Sequence, residues 1–305
     1  GEMIRLIQID GKIPNMALMK LSSFFKTNGE EVELTMCSMP SLFDKKPQQV
    51  YASTIFSYSA PKLATMSGYY PNAVIGGTGS SSLKTVEMIT GGFDGLDYSI
   101  YPEYQNSIGF SQRGCRLKCG FCVVPKKEGS VKSVKSIYDI WRKEPHPKHI
   151  HLLDNDFFGQ PDWREKAQEM ISGNFKICFN QGINVRLLNE EACKVLAKIR
   201  YYDDGFTKRR LYTAWDNLKD EQIFFRGVDM LEAAGVPPRH LMVYMLIGYD
   251  QEETWERIFH RFDRMVSRKI LPYPMVYNTA RRDLKKFQRW VVRGYYRFIP
   301  WEKFI

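Results

Sequence analysis

Residues 107–129 read SIGFSQRGCRLKCGFCVVPKKEG, and three cysteines within them stand at a fixed spacing. Cys115 is followed after three residues by Cys119, and Cys119 after two by Cys122. A strand is expected ahead of them at Ser107–Phe110, and a Gly- and Lys-rich loop behind. Three thiolates can hold three corners of a cubane iron–sulfur cluster, which ordinarily takes four Cys ligands. No fourth cysteine is near in sequence, so one iron would stay open to a small molecule. Two plainer readings stand beside this one, a structural zinc site and a disulfide with a spare thiol. Structural zinc wants four protein ligands, and the nearest histidine, His146, lies far beyond the usual spacing.

The chain around this stretch has 305 residues, enough for a sizeable core and two domains. An apolar content of 44% and an aromatic content of 14% indicate a globular protein. No apolar run approaches a membrane span, and no signal-peptide pattern is seen. Gly1-Glu2 ahead of Met3 reads as a cloning remnant. Six cysteines, three of them clustered, do not make a disulfide framework, so a reducing, cytoplasmic setting is expected. The net charge of +10 is uneven. Residues 1–106 carry 8 Lys/Arg against 10 Asp/Glu, and residues 107–305 carry 36 against 24. The basic part also carries the cysteines, which suggests a polyanionic substrate; a solubilising surface would look the same.

Before the cysteines, strands are expected at Met3–Ile9, Glu31–Thr35, Val50–Phe56 and Ala73–Ile75, with helices at Pro14–Asn28 and Ala60–Tyr69. This alternation predicts a small parallel, Rossmann-like layer. Gly76-Gly77-Thr78-Gly79 could cradle phosphate through backbone N–H groups, or be a tight strand-end turn. After Ser107 the pattern is repeated β then α. Helices are expected at Val131–Lys143, Trp163–Ser172, from Asn189 through Lys198 and Arg200, at Leu218–Ala234 and at Glu252–Lys269. Strands are expected at Ile150–Leu153, Phe175–Phe179, Leu211–Trp215, Leu241–Ile247 and Tyr273–Tyr277. Six strands alternating with five helices predict a parallel sheet curled into a partial barrel.

The CxxxCxxC spacing, with Phe121 as the aromatic before the third cysteine, resembles the signature of the radical S-adenosylmethionine (SAM) superfamily. The resemblance implies a [4Fe-4S] cluster held by Cys115, Cys119 and Cys122, with SAM chelating the open iron. It implies reductive cleavage of SAM to a 5′-deoxyadenosyl radical, fed by an external electron donor of the flavodoxin or ferredoxin type. Residues 3–100 resemble the cobalamin-binding domain of one branch of that superfamily, through IDGKIPNMALMKLSSFFKTNGEEVEL and AVIGGTG. The loop Asp10–Asn15 lacks that branch's cobalt-ligating His, so cobalamin is not expected. The domains implied are a Rossmann-like layer (3–92), a linker (93–106), a radical SAM partial barrel (107–280) and a basic, aromatic, helical tail (281–305).

The family's strand-end sites map onto Asp154 and Asn155 for the methionine amino group and onto Arg186 for its carboxylate. Asn180 and Gln181 fall on the same rim, Asp216 at a ribose-hydroxyl acceptor, and Ile247 and Gly248 at backbone contacts to adenine. Strand-end Asp and Asn are also common turn residues. Cys178 and Cys193 read most simply as core thiols, with Cys178 a candidate hydrogen donor if it faces the barrel interior. Cys37 stands alone, unlike the cysteines of the methylthiotransferases. The tail carries 8 basic and 2 acidic residues interleaved with aromatics, which suits a DNA or RNA partner and a helix with its apolar face inward. Lys126, Lys127, Lys132 and Lys135 add charge beside the cysteine loop. The expected activity is hydrogen abstraction from a nucleic-acid base or nucleotide. Isomerase or lyase chemistry on a hypermodified phage DNA base is favoured. The alternatives are a cobalamin-dependent radical SAM methyltransferase, a nucleic-acid-binding protein with a structural Fe–S cluster, and a peptide-modifying radical enzyme.

Overall fold

Strand β1 (Met3–Gln8) is buried along its whole length, as the central strand of a sheet covered on both faces must be. The computed structural model describes residues 3–304. Gly1, Glu2 and Ile305, and with them the cloning-remnant reading and the last residue of the tail, lie outside the described residues. The chain is an α/β protein with several parallel sheets, and it divides into two compact units at Gln105/Asn106.

In the first unit β1 is flanked in parallel by β2 (Glu31–Thr35) and β3 (Gln49–Ser53), and β3 by β4 (Val74–Gly76). Helix α1 (Met16–Thr27) starts where the Asn15 side chain accepts the Leu18 N–H at 3.2 Å. Its Leu18, Leu21 and Phe25 pack on Ile4 and Leu6. Helix α2 (Ala60–Tyr69) covers the other face, where Met66 meets Ile7, Ile9, Val50 and Ala52. Alternate β1 residues thus serve opposite faces. A short α3 (Val86–Thr90) follows. Beyond it Asp97 accepts from Ser22 and Lys26, and Tyr101 bonds Gln8 and the Asn15 N–H, so this stretch is tied to the first sheet. The Gly76–Gly79 run is a packed turn. Gly79 N–H donates to Thr54 O at 3.0 Å, and a Cβ on Gly77 would meet that oxygen at 2.0 Å.

The second unit opens with β5 (Ser107–Gly109), then the strips β6 (Gln112–Arg113) and β7 (Lys132–Ser133) on either side of the cysteine loop and α4 (Val124–Glu128). After α5 (Ile137–Ile140) come β8 (His149–Leu152), α6 (Trp163–Ser172), β9 (Lys176–Phe179), α7 (Glu190–Lys198) and β10 (Arg200–Tyr201). Then follow β11 (Leu211–Ala214), α8 (Glu221–Ala233), β12 (Leu241–Ile247), α9 (Trp255–Ser267), β13 (Leu271–Val276) and α10 (Arg282–Val292). Two parallel sheets result, ordered β10-β9-β8-β5 and β11-β12-β13. The Ile183 N–H donates to Tyr212 O at 2.8 Å and links the chain after β9 to β11.

On β12 the residues Leu241, Val243, Met245 and Ile247 are buried in the main core with Ile258 and Phe262 of α9. The opposite face carries Tyr212, Tyr244 and Tyr273 in contact. Helix α10 buries Leu284, Phe287, Trp290 and Val291 and leaves Arg282, Lys285 and Arg289 exposed, apolar face inward and basic face outward.

One expected helix is absent. Residues 131–143 form β7 and the single turn α5 rather than a continuous helix. The Val134 N–H donates to Ser111 O at 2.9 Å, and Ser133 Oγ bonds the Asp162 carboxylate, so this stretch is drawn out beside β6. Long-range bonds outweigh local helical spacing there.

Candidate functional site

The cysteine loop leaves the carboxyl end of β5 and is rooted by three carboxylates that follow or face that end. Asp154, just past β8, is buried and accepts the Ser111 N–H at 2.7 Å, the Ser111 hydroxyl and the Gln112 N–H at 3.1 Å. Asp156, also buried, takes the Arg116 N–H at 3.1 Å and its guanidinium at 2.7 and 2.8 Å. Glu128, at the end of α4, accepts the Gly114 N–H at 3.1 Å, Arg113 Nε at 3.1 Å and Asn155 Nδ2 at 3.2 Å. Gly114 is required at the first bend. Its φ is +84°, and a Cβ there would lie 2.3 Å from Ser130 O. The buried Gln112 amide donates to Arg113 O and Gly114 O. Both ends of the loop are thus tied to the strands beneath it.

The thiols of Cys115, Cys119 and Cys122 lie close enough to act on one another. Burial holds the Cys115 thiol above its ordinary range, with Asp156 and the other two sulfurs adding to it. Burial and Cys122 raise Cys119, while Arg186 pulls it back; Asp216 and Asp220 also act on it. Cys119 therefore lies on the side of the unit where the segments after β9 and β11 emerge. Phe121 meets Tyr249 edge-on at 5.4 Å, and Tyr249 meets Tyr277 at 4.9 Å, so the loop also leans on the ends of β12 and β13. Among the described residues no three His, Cys, Asp or Glu side chains gather tightly enough to hold a single metal ion.

The other residues singled out in the sequence fall in three groups. Asp154 and Asn155 serve the loop root. Arg186 bonds Asp220 at 2.5 Å and Asn184 Oδ1 at 3.3 Å. Asp216 is half-buried against β12, where it accepts the Leu246 N–H at 2.8 Å, and desolvation raises its carboxyl. The Ile247 carbonyl accepts from Tyr277 N–H at 2.9 Å and the Gly248 N–H donates to Glu253 at 2.6 Å, so both backbone groups are engaged within the protein. Asn180 keeps a buried Oδ1 with no hydrogen-bond partner, an acceptor at the strand end for a ligand's donor, and Gln181 beside it is exposed.

Cys193 is buried in the apolar core. Cys178 is in register with His151 and is not part of that cluster, which takes its neighbours Ile177 and Phe179. It lies near Tyr212 and Tyr244 on the tyrosine-bearing face, and burial keeps its thiol protonated.

Lys166, Arg261 and Glu253 were not legible as site residues. Lys166 is buried and donates to Ser111 O at 2.6 Å and Gln160 Oε1 at 2.7 Å, bracing the loop root beneath Asp154. Arg261 joins the ends of β11 and β12 through Trp215 O, Asp216 O, Leu246 O and Glu253. The pairings span many residues, and no local spacing signals them.

Burial pushes the Asp154 carboxyl from its ordinary 3.8 up to about 6, against the Ser111 and Gln112 donors and Lys166. An acid whose folded pKa is raised stabilises the fold when protonated, and that contribution is lost as pH rises through about 6. The shift corresponds to about 3 kcal/mol between pH 4 and 7. Urea unfolding should show this component in the parent and lose it in Asp154→Asn. An equal pH slope in both chains would remove Asp154 as its source.

Comparison of the chain with family models, with curated proteins and with solved structures finds no match in any of the three.

Proposed function

We propose that the chain is a radical SAM enzyme that acts on a nucleic-acid base or nucleotide. The observation that carries this reading is the braced loop holding Cys115, Cys119 and Cys122 over the carboxyl ends of the second unit's strands. The donor set fits a [4Fe-4S] cluster. Three thiols share one loop and lie near enough to act on one another, and Arg186 offsets part of the burial that raises the Cys119 thiol. The two parallel sheets, linked through Ile183 and Tyr212, are read as one partial barrel, whose ligands would sit at the carboxyl rim. When bound, the cluster supplies an electron that breaks the SAM sulfonium bond and yields the 5′-deoxyadenosyl radical.

The chain's own residues position the partners of that chemistry. Asp154, Asp156 and Glu128 fix the loop, and Asn180 Oδ1 would accept a donor of SAM at the strand end. Arg186, paired here with Asp220, would hold the methionine carboxylate, and Phe121 would line the adenosyl group. Cys178, protonated below the rim, holds a hydrogen atom for a substrate radical. A flavodoxin or ferredoxin type donor supplies the electron, and the basic outer face of α10 favours DNA or RNA. The test is anaerobic reconstitution with iron and sulfide, then SAM and dithionite. Release of 5′-deoxyadenosine is expected; a fully loaded chain that releases none overturns the proposal.

A further inference from the structure

The strands of each large sheet in the second unit are parallel, and Tyr201 of β10 bonds His240 just ahead of β12, so their amino ends lie along one edge, away from the cysteine loop. Positive charge collects along it. Lys148 precedes β8, Lys176 opens β9, Arg200 opens β10, Arg209 and Arg210 precede β11, and Arg239 precedes β12. These residues form a continuous band. His149, Lys176 and Arg200 are register partners on adjacent strands, which lie about 4.8 Å apart. Lys176 lies over the Tyr202 ring at 4.6 Å, and Arg209 reaches the same ring and sits 3.9 Å over Tyr201. Tyr201 bonds His240 at 2.7 Å, and Arg210 donates to Arg239 O at 3.0 Å.

Among the described residues the cations of the band stand without ion-paired carboxylates. Elsewhere in this unit Arg164, Arg186, Arg264 and Arg268 each pair with a carboxylate. Among the described residues none of the six band cations has one. Their heads are instead set by neutral oxygens. Lys148 donates to Gly173 O, Lys176 to Phe206 O, Arg200 to Asn174, and Arg209 to Ile199 O. Gly173 and Ile199 are helix ends, each contributing only about half a negative charge. Asp203 accepts from the Thr207 and Lys208 N–H groups and acts on Arg210 without forming an ion pair with it, and Asp204 is exposed. Both flanking histidines register the field. After burial, Lys176 and Arg200 hold His149 down, and Arg209, Arg239 and Arg210 hold His240 down.

We propose that this amino-terminal strand edge is a docking surface for the phosphate backbone of a nucleic acid, separate from the cysteine-bearing rim. Four of the six cations are arginines, whose planar fork matches phosphate, and backbone carbonyls hold three of the four in place before any partner arrives. The inference stands on charge and geometry and needs neither cluster nor SAM.

The test uses the full chain without SAM and a short fluorescein-labelled DNA duplex, titrated across salt. The triple variant Arg200→Gln/Arg210→Gln/Arg239→Gln should flatten the slope of log K against log salt by about 2.7, and weaken binding by about tenfold or more. The matching Arg→Lys triple variant should keep the slope. In the unmodified chain the duplex should protect Lys148 and Lys176 from acetylation, a readout that needs no variant to fold. A folded Gln triple variant with the parental slope, or no protection of Lys148 and Lys176, overturns the proposal. So does polyglutamate competing as well as the duplex at equal charge. None of these outcomes bears on 5′-deoxyadenosine release.

Discussion

Replacing any one of Cys115, Cys119 and Cys122 with alanine is expected to abolish SAM cleavage, while Cys37→Ala and Cys193→Ala leave it intact. On the proposed reading the three loop thiols hold three corners of one cluster, and losing one removes a ligand from it. Cys37 is exposed in the other unit, and Cys193 is packed in the core. Cys178→Ala separates two roles. It should retain iron and 5′-deoxyadenosine release and lose only the substrate product, because its protonated thiol lies on the tyrosine face rather than on the loop. Iron and sulfide per chain, with 5′-deoxyadenosine by liquid chromatography, check all six variants. Full iron and full release from Cys115→Ala would sink the assignment. Loading should also weaken as pH falls. Burial holds the Cys115 and Cys119 thiols above their ordinary range, and only thiolates ligate.

Much of the fold could be read from local patterns, since most strands and helices here obey them. Asn189 caps a helix where one was expected to start, and Asn15 and Thr254 cap helices within two residues of their expected starts. Ala60–Tyr69, Trp163–Ser172 and Leu241–Ile247 fall where apolar periodicity puts them. Val131–Lys143 has the same periodicity but is claimed by Ser111 and Asp162, which lie far away in sequence. The site divides in the same way. Cysteine spacing is local and legible. The jobs of Asp154, Asp156, Glu128 and Lys166 are not, because each partner is set by which strand ends meet. Asp154 was singled out for its place after a strand, a place shared by residues that bind ligands and by residues that hold loops.

Arg261→Leu is expected to cost about 3–5 kcal/mol of folding stability. Arg261 is only 2% exposed, and it donates to three backbone carbonyls and to Glu253 at 2.7 Å. Leucine keeps the stem's bulk, yet leaves those carbonyls unmatched and a carboxylate stranded beside Gly248. Arg261→Lys should recover little, because a single ammonium cannot span Asp216 O and Leu246 O as the guanidinium fork does. Adding Glu253→Gln to Arg261→Leu should restore part of the loss by removing the stranded charge. Urea midpoints for the parent, both single variants and the double variant measure this. A loss below about 1 kcal/mol for Arg261→Leu would mean that water or a neighbour replaces the arginine.

Because the strands run parallel within each of the two large sheets of the second unit, the two rims of a sheet are written in separate stretches of chain. Segments that end a strand build one rim, and segments that begin the next build the other. Either rim can drift, lengthen or change charge over generations without moving a residue of its opposite.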